Sequence, residues 1–162
     1  MSSAPRPLTA NELRRKWTEF FVERGHTAVR SGSLIPTHPS APMFTNSGMM
    51  PFVPYFLGEE PAPYSPPRAV SVQKCVRAGG KHNDLDAIGR SPRHLSFFEM
   101  LGNFSFGDYF KTEAIPWAWE FVTETLGVDG DRGAIAPGKR ADLLLTDDSL
   151  KLRQVWIGGK PI

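Results

Sequence analysis

The chain has 162 residues and a mass of 18.0 kDa, enough for one domain or two small ones and for a buried core. With 40% hydrophobic residues, 22% charged residues and a net charge of +2, it is neither a disordered tail nor a strongly basic nucleic-acid binder, and no run approaches the roughly 18 apolar residues of a membrane span. Glycine and proline number 15 each, above average usage, so much of the backbone is expected in turns and loops.

Thr9 and Glu12 have the spacing of a capping box, and Leu13, Trp17, Phe20 and Phe21 recur on one helical face until Gly25, which predicts an amphipathic helix over 10–24. Residues 1–8 are expected to be disordered. Nine of the prolines fall between Pro36 and Pro67, a stretch that cannot hold long regular elements. Alternation in 69–76 and the strand formers of 95–101 predict two strands of one antiparallel pair. Between them, Arg77 to Arg93 is too long for a hairpin turn and is rich in Gly, Asn, Asp and basic residues. Thr112 caps a second expected helix, with Ile115, Trp119, Val122 and Leu126 on its buried face and Gly127 at its end. Runs at 141–146 and 150–157 around Asp147-Asp148-Ser149 predict a β-hairpin within a separate unit, 129–162.

The single cysteine, Cys75, excludes an internal disulfide and a multi-cysteine zinc site. His26, His38, His82 and His94 show neither H-x-H nor H-E-x-x-H spacing, so no protein-held metal is expected. No apolar segment marks the start for secretion, and the cytoplasm is the expected compartment.

Residues 68–93 concentrate positive charge: Arg68, Lys74, Arg77, Lys81, Arg90 and Arg93 stand against Asp84 and Asp86. Guanidinium forks match phosphate oxygens, and Gly79-Gly80 permits close backbone approach, so this strand–loop–strand is either a phosphate seat or a solvated charged loop. It is not a Walker loop, because Cys75 stands where the first glycine is required and His82 follows Lys81.

The runs 71–85 (SVQKCVRAGGKHNDL) and 93–111 (RHLSFFEMLGNFSFGDYFK), with 44–50 (FTNSGMM) and 54–58 (PYFLG), resemble the alanyl-tRNA synthetase family of class II aminoacyl-tRNA synthetases over about 9–128. The resemblance implies an α+β fold, part of a class II antiparallel sheet with flanking helices, in which motif 2 is two strands joined by a long loop. It implies ATP with Mg²⁺, alanine and tRNA(Ala) as partners, and adenylation of alanine followed by transfer to tRNA. By the same resemblance Arg77 grips the α-phosphate with Lys81 assisting, His94 meets the γ-phosphate, Phe98 stacks on adenine, and Glu99 and Asn103 make polar contacts to the nucleotide. Lys81, Arg90 and Arg93 are implied contacts to the tRNA acceptor end. In a strand, positions 94 and 98 share a face, while Phe97, Met100, Leu101, Trp117 and Trp119 are expected in the core.

Two departures accompany the resemblance. No G-x-G-x-x-R, the motif 3 spacing, occurs, and Ala78-Gly79 follow Arg77 where many class II enzymes have x-Glu. The tail, 133–147 with 155–160, resembles the C-terminal strands of amidohydrolases such as N-acetylglucosamine-6-phosphate deacetylase, and is expected to be structural only. The alternative to a catalytic fragment is a non-catalytic ATP- or tRNA-binding module, or a truncated fusion without a selected role. In either case exposed apolar surface would favour self-association or pairing with a fuller synthetase.

Overall fold

The computed structural model describes residues 8–38, 41–77, 86–92, 94–125, 143–146, 152–157 and 160–161. The expected disordered start therefore lies, except for Leu8, outside the described residues. The chain divides into two compact units, Pro7–Phe110 and a second made of Met1–Arg6 with Lys111–Ile162.

The first unit opens with α1, Ala10–Val22. The Thr9 hydroxyl accepts from the Glu12 N–H at 3.2 Å and the Glu12 carboxylate accepts from the Thr9 N–H at 2.8 Å, satisfying two donors that a helix start leaves open. The helix ends before the expected residue 24 because 23–25 turn away, with Gly25 at φ 81° and the His26 N–H returning to the Phe21 carbonyl at 3.0 Å.

β1 (Thr27–Val29), β2 (Arg68–Val76) and β3 (Phe97–Ser105) form one sheet in that order. β2 and β3 are the expected antiparallel pair, in register from Arg68 opposite Ser105 to Val76 opposite Phe97. β1 runs parallel to β2, so the sheet is mixed; three residues are too short to leave a pattern in the sequence. β3 begins two residues later and ends four later than the expected 95–101. The proline-rich stretch holds a 3₁₀ turn, Met50–Phe52, and a five-residue helix α2, Val53–Leu57, closed by Gly58 at φ 72°.

Alternation along the paired strands divides the sheet into two faces. Val70, Val72, Lys74 and Val76 share one with Phe97, Glu99, Leu101 and Asn103, and α1 packs there. The other carries Ala69, Ser71, Gln73 and Cys75 with Phe98, Met100, Gly102 and Phe104, and is covered by the segments before α2. Phe52 anchors that cover, its ring 4.5 Å from Phe104, within an aromatic cluster that includes Tyr55, Phe56, Tyr64 and Phe106. Phe21 and Phe52, both fully buried, contribute about 2–3 kcal/mol each by removal of apolar surface from water.

Beneath the helix-covered face, a polar chain ties α1 to the sheet. His26, 3% exposed, pairs through Nδ1 with the Phe21 carbonyl at 2.9 Å and through Nε2 with the Tyr109 hydroxyl at 2.6 Å. The Tyr109 oxygen also accepts from Asn103 Nδ2 at 3.0 Å. Arg68 lies over the Tyr109 ring, pairs with Asp108 and donates to the Arg24 carbonyl at 2.8 Å. A carbonyl on Nδ1 makes that nitrogen the donor, leaving Nε2 to accept from Tyr109.

In the second unit, α3 spans Lys111–Glu120 and continues as a π turn, Phe121–Thr125. The expected buried face is not buried: Ile115 is 65% exposed, Trp119 56% and Val122 50%. Ile115 and Trp119 share one face of α3 ahead of the π turn and both stand exposed, whereas within the turn Phe121 and Thr123 are buried. Leu126 lies outside the described residues. Of the expected core, Trp119 and also Phe97, 51% exposed at the last rung of the β2–β3 ladder, are corrected to surface positions, while Met100, Leu101 and Trp117 are half-buried. The expected hairpin is present as β4 (Leu143–Thr146) antiparallel to β5 (Leu152–Ile157), and β6 (Lys160–Pro161) adds a third strand.

Burial holds the His26 pKa below its ordinary 6.5, opposed by its bond to the Phe21 carbonyl, with the Arg68 guanidinium lowering it further and Asp108 raising it. The unfolded chain therefore binds the proton more readily. This contribution to stability is whole above pH 6.5 and is lost as pH falls from there toward the lower folded value. Urea unfolding between pH 8 and pH 5 should show this loss, and His26→Gln should flatten it; an unchanged slope in the variant would exclude His26 as its source.

Candidate nucleotide site

The open end of the β2–β3 pair positions the candidate residues. The Arg77 N–H donates to the Ser96 carbonyl at 2.9 Å, carrying the ladder one rung past Val76–Phe97. Arg77 thereby falls on the Cys75 face, diagonal to Phe98, and its guanidinium carbon sits 5.1 Å from the Phe98 ring centre. Arg77 Nε donates to the main-chain carbonyl of Asn46 at 3.1 Å. The guanidinium has five N–H donors, and among the described residues only the Nε donor is engaged by protein. Behind this pair Cys75 is buried, and burial pushes its thiol pKa up, so it presents a neutral, weakly polar floor rather than a nucleophile. A cation in contact with an aromatic face, two donors wide and set at a sheet end, can take a phosphate and a flat base from one ligand.

Glu99 and Asn103 are not brought to this pair. Both project from the helix-covered face, where Arg14 Nε donates to Glu99 Oε2 at 2.6 Å and Asn103 binds Tyr109. One residue of strand separates Phe98 from Glu99, which is enough to put them on opposite sides of the sheet.

His94 stands three residues ahead of β3, so the strand alternation that would place it beside Phe98 does not reach it. It lines an open cavity of about 650 Å³ with Arg90, Ser91, Leu95 and Phe97. Its N–H donates to the Ser91 carbonyl at 3.4 Å, and its ring Nδ1 is buried without a hydrogen-bond partner among the described residues. The cavity brings Arg90 and His94, two of the basic candidates, to one lining. Lys81 and Arg93 lie outside the described residues. Among the described residues no three His, Cys, Asp or Glu side chains converge as a metal site, and no helix is long and apolar enough to cross a membrane.

Sequence reasoning missed the acceptor that orients Arg77. A main-chain carbonyl leaves no mark on residue type, and Asn46 stands out only as part of the Phe44–Met50 run.

The chain matches the family described as tRNA synthetases class II (A) over residues 12–156. It is similar to the alanine–tRNA ligase of Magnetococcus marinus, 59% identical over 125 residues, which are 77% of this chain and 14% of that protein. To that of Myxococcus xanthus it is 57% identical over 131 residues, 81% of this chain and 14% of that protein. To that of Methylococcus capsulatus it is 57% identical over 150 residues, 93% of this chain and 16% of that protein. The chain spans about one-seventh of the length of these curated relatives.

Glu99→Gln should cost up to ~1 kcal/mol of stability through the partly exposed Arg14 pair and leave nucleotide affinity unchanged. Thermal unfolding and nucleotide titration of the same variant check both halves, and a large loss of affinity would return Glu99 to the binding face.

Proposed function

Because the chain belongs to the class II tRNA synthetases, we propose that it carries the nucleotide-gripping strands of an alanine–tRNA ligase, acting on ATP with Mg²⁺, alanine and tRNA(Ala). The observation that carries the reading is Arg77 set on Phe98 at the open end of β2–β3 with its terminal donors unengaged by the described residues. In adenylation the alanine carboxylate oxygen attacks the α-phosphorus, the new P–O bond forms, and the bond to the β-phosphate breaks to release pyrophosphate. Negative charge grows on the α-phosphate oxygens during this step, and a guanidinium already fixed in place stabilises that charge without reorganising. Phe98 would seat the adenine, and Arg90 and His94, sharing one cavity, would meet the more distal phosphates or the tRNA acceptor backbone. Lys81 and Arg93, from the same loop, belong to this reading as additional phosphate contacts. Mg²⁺ enters with the ATP phosphates and neutralises their charge. Glu99 and Asn103 support the sheet from its other side. The tail strands act structurally. A single buried thiol suits the reducing cytoplasm.

A second reading is nucleotide or acceptor binding without turnover, since a cation set on an aromatic ring can hold a phosphate and a base without any bond being made or broken. Alanine-dependent exchange of pyrophosphate into ATP separates the two. Under the first, exchange is measurable and Arg77→Ala lowers it by roughly 10²–10³, the cost of one transition-state donor. Calorimetric ATP binding that persists with no exchange selects the second, absence of ATP binding overturns the first, and absence of binding to both ATP and the tRNA acceptor overturns both.

A further inference from the structure

Arg77 is held by a carbonyl, and that carbonyl is itself held. The segment carrying Asn46 lies beside the end of β2 as an extra rung: the Val76 N–H donates to the Thr45 carbonyl at 3.0 Å, and the Thr45 N–H donates to the Leu34 carbonyl at 2.8 Å. The Thr45 hydroxyl donates to the Ser33 carbonyl at 2.7 Å. All three polar groups of this residue are thus engaged, and its side chain is 2% exposed. The far side of the rung is clamped as well. Gly32 donates its N–H to Gln73 Oε1 at 2.8 Å and accepts from Gln73 Nε2 at 3.2 Å, and the Lys74 N–H donates to Ser31 Oγ at 3.0 Å. Close approach continues at Gly48, whose N–H points to Met100 Sδ at 3.2 Å and where a Cβ would stand 3.3 Å from Met100 Cβ.

We propose that Thr45 is the positioning residue for Arg77: it ties residues 33–34 to the end of β2 and so fixes the Asn46 carbonyl that receives Arg77 Nε, setting the guanidinium over Phe98. Thr45, buried and with all its polar groups engaged by protein, acts on Arg77 through that carbonyl. A guanidinium anchored at Nε presents its four terminal hydrogens in one plane, which is the arrangement that a phosphate fork requires. An unanchored side chain would spend rotamer freedom at the moment of binding. The role in binding rests on the proposed nucleotide function; the role in holding Arg77 does not.

The two are tested apart in the full chain. In ¹⁵N NMR spectra the Arg77 Nε–H, identified by its loss in Arg77→Lys, is expected to exchange slowly with solvent. Thr45→Val removes the hydroxyl at nearly constant volume and should speed that exchange roughly five- to tenfold, the worth of one buried hydrogen bond, while Thr45→Ser keeps it within about twofold. Exchange at the Val70 amide, within β2, reports whether the sheet is intact. ATP affinity measured by calorimetry should fall by a similar factor in Thr45→Val and hold in Thr45→Ser. Phe98→Leu supplies a check independent of how Thr45→Val folds: with the ring gone and the carbonyl in place, the Nε–H should remain slow. Unchanged exchange in Thr45→Val, or fast exchange in Phe98→Leu with the sheet intact, overturns the proposal. Faster exchange in Thr45→Val in a chain that binds no ATP upholds the positioning of Arg77 and overturns the nucleotide reading alone.

Discussion

The register of the β2–β3 ladder governs this molecule. Nine residues of each strand face one another from Arg68–Ser105 to Val76–Phe97, and because side chains alternate, that single alignment sorts every residue of both strands to one side or the other. A slip of one position would send Phe98 under α1 and Glu99 to the opposite face. The register is pinned from both sides. Asn103, Tyr109 and His26 lock it beneath the helix, and Gln73, Met100 and Phe104 lock it against the segments that precede α2.

The two faces have different chemistry because different parts of the chain cover them. α1 supplies a continuous amphipathic surface, and on that face Arg14 pairs with Glu99 while His26, Tyr109 and Asn103 pair with one another. The other is covered by irregular backbone, whose carbonyls and N–H groups must find partners in the sheet. They find them in Gln73, Val76 and Arg77. The consequence is geometric: a loop that satisfies its own backbone on the strand end also holds Arg77 there. Cys75 behind it stays neutral, so the thiol adds no negative charge beside the guanidinium.

Several features were legible in the residues alone. The Thr9–Glu12 box and the Leu13–Phe21 stripe mark α1 because capping and helical periodicity are local. The antiparallel pair was legible from alternation, and the family from a long motif. The failures are equally specific. Ile115, Trp119 and Val122 have the spacing of a buried face, but spacing fixes only that residues share a face, and this one is exposed. His94 was counted along a strand that begins only at Phe97. Glu99 and Asn103 lie on the face opposite Arg77 and Phe98, and neither residue type nor motif announces that division.

Residue order by itself determined the family, the first helix and the strand pair, because each is written in patterns a few residues long or in a motif read whole. Only the tertiary structure decided the sidedness of the sheet, the parallel strand β1 and the Asn46 carbonyl on Arg77. These depend on which distant segment meets which edge, and a main-chain acceptor 31 positions away has no side chain to announce it. Geometry therefore separates Phe98 from Glu99, adjacent in the chain, and joins Thr45 to Arg77, far apart in it, through hydrogen bonds that exist only once the sheet has formed.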